Sequence, residues 1–302
     1  MGKRIKKYGR NTVKKIIILV LLLSMFLFSL CGCGNLITDF SSYADANSYT
    51  TGGGSVSADD INEICVNWVY GSVKIEGSDT DKITFSEVSS LDSGKDSIGE
   101  ATENKELNES LKMRYKTDGG RLTIQFCKSA LRIRAAVVKD LKKDLTIYVP
   151  NNREFTEIKA DVVSSDIYIA YTGADKIELN SVSADMKLVD CKTDKIKCDT
   201  VSGDLNVTTD EALEDIDMNA VSGNLKINAK SIEKLDMDSV SANAELTLEV
   251  FDFDLKLSGV STKLEADGIS FEKTSEKNYK FGDGAGNVTF ESVSGKVRLE
   301  EK

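Results

Sequence analysis

The chain has 302 residues, 39 basic and 49 acidic, a net charge of −10, and no histidine. The missing histidine removes Ser-His-Asp and Cys-His catalysis and most zinc sites. The acidic balance argues against binding nucleic acid or anionic lipid headgroups.

Residues 1–15 carry seven basic side chains, and Ile16 to Leu30 is an almost unbroken apolar run. That is a charged leader and a hydrophobic stretch of signal-peptide length, short for a membrane span. It ends in Leu30-Cys31-Gly32-Cys33. This resembles the bacterial lipobox, with Leu three residues and Gly one residue before the modified cysteine. The resemblance implies a lipoprotein signal peptide over 1–32 and diacylglycerol on Cys33. The alternatives are an ordinary secretory signal or an uncleaved anchor. On the lipobox reading the protein sits on the extracytoplasmic face of a bacterial membrane, held by two or three acyl chains. Cleavage would remove seven basic residues and no acidic ones, leaving 32 against 49.

Residues 33–58 are rich in Ser, Thr, Gly, Asn and Asp, with Gly52-Gly53-Gly54 at the centre. The composition predicts a flexible tether. Residues 59–302 then read as one domain. Ile64, Val66, Val69, Val73 and Ile75 form a first repeat unit, and Ile83, Phe85 and Val88 open a second. A polar insert follows over 89–110, with a short helix predicted near 104–111. Leu111, Met113 and Tyr115, then Leu122, Ile124 and Phe126, flank Asp118-Gly119-Gly120 as a hairpin. Lys128 to Lys143, with Arg132, Arg134, Lys139 and Lys142, is a basic patch, read as a solvated hairpin or a contact for acidic wall polymer. Leu145, Ile147 and Val149 predict a strand stopped by Pro150.

From Ile158 onward the chain repeats. A Val-Ser pair recurs at Val163, Val182, Val201, Val221, Val240, Val260 and Val293, mostly 19 or 20 residues apart. With each Val as position 0, positions −5, −3, +4 and +6 are apolar in all seven units. At the chain's overall apolar content, chance would give this about once in 10^11 trials. Apolar sites alternate with polar ones, the periodicity of strands. Units this short cannot bury their apolar face alone, so they must stack. The prediction is an all-β parallel β-solenoid (a β-roll or β-helix) of 19–20-residue coils. The Val row is placed in its core, with the alternation slipping between −3 and 0.

The phrase Asp144-Leu145-Thr146-Ile147-Tyr148-Val149-Pro150, followed by Val-Ser-Gly-Asp-Leu-type units, resembles a bacterial family. It is the toast-rack family, a "putative adhesin" β-strand-repeat domain of unknown function. Asn67 to Ile75 is similar to that family's opening coil. The resemblance covers residues 60–302. It implies an envelope-associated protein, sometimes tied to envelope-stress signalling, and supplies no catalytic residues.

Several rows invite chemistry. Ser164, Ser183, Ser202, Ser222, Ser241, Ser261 and Ser294 form an outward ladder, read as hydroxyls bonding between coils. Asp166, Asp185 and Asp204 stack at +3, followed by Asn224 and Asn243. Carboxylates at rung spacing repel, so calcium bridging is one reading of the row. Screening by Lys187 and Lys226 is the other, because the paired-glycine calcium repeat is absent. Glycan cleavage would need a clustered basic partner, which the pattern lacks. The −4 row, Lys159 to Thr289, mixes signs and predicts salt pairing between coils. Gly282, Gly284 and Gly286 imitate a phosphate loop without a strand-to-helix context, so they read as a turn. Cys191 and Cys198 could form a disulfide. No cofactor is implied. The expected function is a non-catalytic surface interaction module, with wall polymer or an envelope protein as partner. A stress sensor acting on a membrane partner is the alternative, and a glycan-active enzyme the weaker one.

Overall fold

The computed structural model describes residues 46–90, 109–129 and 141–302. The signal peptide, Cys33, the insert with its helix, and Arg132, Arg134 and Lys139 lie outside or largely outside these residues. The described chain forms one body.

In chain order the strands are β1 (Thr50–Thr51), β2 (Gly54–Ser57), β3 (Glu63–Ser78), β4 (Lys82–Ser89), β5 (Arg114–Asp118), β6 (Arg121–Gln125) and β7 (Lys143–Pro150). The repeats supply β8 (Glu154–Ala170), β9 (Gly173–Ser181), β10 (Met186–Val189), β11 (Lys195–Thr200), β12 (Leu205–Thr208), β13 (Ala212–Ala220), β14 (Leu225–Ala229), β15 (Ser231–Ser241) and β16 (Ala244–Leu248). The last are β17 (Phe253–Ser258), β18 (Ser261–Glu265), β19 (Glu272–Ser275), β20 (Asn278–Phe281) and β21 (Gly286–Glu301). Each repeat contributes two strands joined at a corner, and successive coils pair in parallel at matching positions. Ile196 faces Ile177 and Ile216, and Leu205 faces Met186 and Leu225. This is the predicted parallel β-solenoid.

The core rows at −5, −3, +4 and +6 hold through the inner coils. Ile177, Leu179, Met186, Leu188, Ile216, Met218, Leu225 and Ile227 are all buried. The Val row is not in the core. Val163, Val182, Val201, Val221 and Val240 are half-exposed, Val293 is 39% exposed and Val260 67% exposed. The buried row is its neighbour at −1: Val162, Ser181, Thr200, Ala220, Ser239 and Ser292. Alternation therefore runs unbroken from −5 to −1, and the slip falls later, across positions 0 and +1. Two consecutive residues face outward there, and the chain turns.

Backbone bonds hold the corner. Ser183, Ser202, Ser222 and Ser241 each donate their backbone N–H to the Val carbonyl one coil earlier, at 2.9–3.0 Å. The serine ladder is thus carried by the main chain, and the hydroxyl-bearing side chains are exposed. A β-branched residue suits this extended, half-buried place. Inside the bend the backbones close up. A Cβ added at Gly203 would lie 1.9 Å from the Ala184 carbonyl oxygen, so glycine is required there.

Both ends depart from the order of the sequence. β21 lies between β15/β16 on one side and β17/β18 on the other, parallel to all four. The coil of Val260 is therefore outermost, although Val293 follows it in the chain. At the other end β3 lies between β8 and the pair β6/β7. Ile83, Phe85 and Val88 open no coil. They belong to β4, which runs antiparallel along β7, and Val88 is an exposed edge residue. Residues predicted as tether also join this end: β2 pairs with β4 and β1 with β5, and Ala46 is buried. Ser- and Gly-rich sequence cannot make a core, but it can lend backbone to a waiting edge. The hairpin β5–β6 turns at Gly119 and Gly120, both at positive φ, as a two-residue turn requires.

Candidate interaction surface

The outer side of the first sheet is a lattice of paired charges. Lys159 bonds Glu178 at 2.9 Å, and Lys176 bonds Glu157 at 3.0 Å and also Glu178. Asp215 accepts from Lys195 at 2.9 Å and from Lys234 at 3.0 Å. Asn180 and Asn219 donate to Asp161 and Asp199 one coil away, at 2.7 and 2.8 Å. Burial by itself would push the Glu178 carboxyl up, but bonds from Lys176, Lys159 and Asn180 bring it down to about 2. Of the predicted −4 row only Lys159 and Glu178 pair between coils; Lys197 pairs with Asp199 of its own strand, Asp217 lies opposite Asp236, and most pairing between coils runs along the neighbouring −6 row.

The second sheet carries the +3 row. Its side-chain oxygens accept backbone N–H groups from the next coil. Asp166 accepts from Asp185, Asp185 from Asp204, and Asp204 from Asn224 at 2.8 Å. Asn224 accepts from Asn243, and Asn243 from Lys296. Asn224 Nδ2 also bonds Asp204 at 3.0 Å. The row is an Asx ladder that satisfies the amides leaving the corner. Each carboxylate of the row faces a donor from the next coil, which offsets part of the repulsion at rung spacing. Among the described residues no group of three or more carboxylate or thiol side chains is placed to hold a metal.

Two further expectations change. The basic patch is not uniformly solvated: Lys143 is completely buried. Its ammonium pairs with Glu87, donates to the carbonyls of Leu111 and Phe126, and lies 4.9 Å from the Trp68 ring and 4.2 Å from Phe126. Burial pushes its pKa down, and Glu87 pulls against that. Lys142 stays outside, over the Tyr70 ring at 5.1 Å. Sequence reasoning missed this cluster because Glu87 and Lys143 are 56 residues apart. Trp68 at the −1 position was the available signal. Cys191 and Cys198 are separate thiols. Burial pushes Cys191 up to about 11 and Cys198 up to about 12, so both stay protonated and inert at neutral pH.

The glycine-rich turn is occupied from within. Gly282 and Gly284 take positive φ, and the amides of Asp283 and Ala285 bond the Asp252 carboxylate at 2.8 and 3.2 Å. The protein's own anion fills the place a phosphate would take. A polar groove of about 540 Å³ runs beside the first repeat, lined by residues including Asn151, Arg153, Tyr171, Asp190 and Lys192. Tyr171 and Asp190 both sit at +8 with positive φ, an uncommon conformation for such residues. Among their polar neighbours Arg153 bonds Ile61 O and Asn62 through Nη2 and Lys192 pairs with Glu154, while Arg153 Nε and Thr172 Oγ1 are buried without a partner.

The described molecule is therefore a two-faced parallel β-solenoid whose polar side chains mostly bond to one another. The Toastrack DUF4097 family matches residues 61–248, and the chain belongs to it. Among curated proteins none matches this sequence. Two solved structures are similar. One is a "putative cell adhesion protein" from Clostridium sporogenes ATCC 15579, 13% identical, covering 84% of this chain and 100% of that one, with a TM-score of 0.35. The other is a "putative adhesin" from Parabacteroides distasonis ATCC 8503, 16% identical, covering 84% and 97%, with a TM-score of 0.35. Among the described residues no helix is long and apolar enough to cross a membrane.

Proposed function

We propose that this protein is a non-catalytic, adhesin-like interaction module at the bacterial cell surface, held by lipid on Cys33. What supports this most is the way charge is used on the outer faces. Lys159, Lys176, Lys195 and Lys234 pair with carboxylates across coils, and the Asx row bonds backbone. A surface so internally satisfied is rigid and suited to broad contact. The names of the two similar structures point the same way. Wall polymer is the expected partner.

The test uses beads coated with the full chain, retained on isolated cell walls, with mass spectrometry of the processed N-terminus alongside. Retention above a denatured control and an acylated Cys33 are expected. Beads that wash off, together with turnover of wall glycan by the purified chain, would overturn the reading. Recovery of one membrane protein from crosslinked envelopes, without wall binding, would favour the stress-sensor alternative.

A further inference from the structure

The solenoid has two sheets and hence four sheet ends, and three are closed by antiparallel strands. β5 covers β6 and is covered by β1; β4 covers β7 and is covered by β2; β20 covers β17 and is covered by β19. The fourth end is β18. It pairs with β21 along one edge, from Ser261 to Glu265, and among the described residues no strand pairs with the other. The core is open at the same place. Leu264 stands at +4, where Met186, Leu205, Leu225 and Val297 are buried, yet it is half-exposed. Val260 and Phe271, exposed by 67% and 44%, lie close by in sequence. Lys277 reaches the corner and bonds Gly259 O at 2.8 Å and Thr262 Oγ1 at 3.0 Å, which leaves Lys263 to Glu265 beyond it.

We propose that β18 is a dimerisation edge, pairing antiparallel with β18 of a second copy across a twofold axis at Leu264. That register sets Lys263 opposite Glu265 twice and Leu264 opposite its own twin. Lys263 and Glu265 share the outer face, and Leu264 turns inward. Glu265, which also holds Lys296 and Arg298 of its own chain, then faces Lys263 of the second copy, and the apolar residue closes the open core. Centring the pairing on Lys263 would oppose two lysines, which is destabilising. A shift by one residue would send Leu264 to the wrong face. At the other end of the rod the outermost strands, β1 and β2, have two and four residues and so offer β18 little edge for head-to-tail pairing. The assembly closes as a twofold dimer instead of growing into a fibre. A short edge strand with a central lysine can also serve to prevent pairing, and measurement separates the two roles.

The experiment is sedimentation equilibrium of the full chain in a density-matched nonionic detergent, at micromolar concentration. A dimer is expected, with twice the 33.0 kDa chain mass. Lys263→Glu, which sets carboxylates opposite each other, weakens it by about tenfold. Leu264→Asp does at least as much. Lys263 is exposed, so its variant keeps the wild-type circular dichroism spectrum. A monomeric wild-type chain would overturn the proposal. So would a dimer that survives both substitutions unchanged.

Discussion

Replacing Lys143 with Ala tests the reading of the capped end most directly. The side chain is fully buried, and its Glu87 partner is only 10% exposed. Removing the ammonium strands the Glu87 carboxylate, which keeps one bond, from the Met113 N–H at 2.7 Å. It also leaves the Leu111 and Phe126 carbonyls short of a donor. Breaking a buried pair from one side costs about 3–5 kcal/mol. For a domain of this size, each kcal/mol lowers Tm by roughly 2–4 °C. The expected fall is therefore on the order of 10 °C. The assay is urea and thermal unfolding followed by tryptophan fluorescence. Trp68 is the single tryptophan, and its Nε1–H donates to the Lys143 carbonyl at 2.8 Å. Lys159→Ala, on a partly exposed pair, serves as the reference and costs about 1 kcal/mol or less. Replacing both partners, with Lys143→Met and Glu87→Leu, recovers most of the loss, because neither charge is left alone. Equal midpoints for Lys143→Ala and Lys159→Ala would refute the reasoning.

Three other outcomes follow from the corner and the ladders. Val201→Thr, at a half-exposed corner, changes the unfolding free energy in urea by under about 1 kcal/mol, while Leu205→Ala costs about 2–5 kcal/mol. The reverse ranking would return the Val row to the core. Glu178 has a depressed folded pKa, so its contribution is complete above the usual carboxyl value of 4.5 and fades as pH falls toward 2. Glu178→Gln should lower the melting temperature at neutral and alkaline pH, converge with the unmodified chain near pH 2, and so flatten the acid limb of a pH series. Asp204→Ala removes the acceptor for two donors of Asn224 and costs roughly 1–2 kcal/mol, whereas Asp204→Asn keeps most of it. A calcium-dependent rise in Tm for the unmodified chain would contradict the ladder as described.

The repeat register was legible because every coil obeys it. Ile177, Leu205 and Ile227 had to face inward for units of this length to fold at all. The Val row misled for a physical reason. Apolar identity reads as burial, but a corner needs a stiff extended residue whether or not it is covered. The true inner residue at −1 is small or hydroxylic in most coils, and Ser181 and Thr200 satisfy each other inside at 2.7 Å. Alternation rules have no way to see such a pair. The end arrangements were out of reach for another reason. Periodicity says which residues stack, not which neighbour they stack upon, and β21 suits the place beside β15 as well as the place beyond β17. The Lys143 cluster depended on that same long-range choice. Of the surface, one pair of the salt lattice, Lys159 with Glu178, was visible in the mixed-sign row, and the Asx ladder only as a row of unexplained carboxylates.

The interleaved position of β21 bears on how the protein is made. A ribosome or export channel delivers the coils one after another, yet the rung that belongs next to β15 and β16 arrives after the one that must lie outside it. Until Gly286 and its followers emerge, the growing rod shows two raw edges, those of β15/β16 and of β17/β18. A chain cut short there is missing an inner plank rather than its tip, and such a chain leaves unpaired strand edges open to proteolysis.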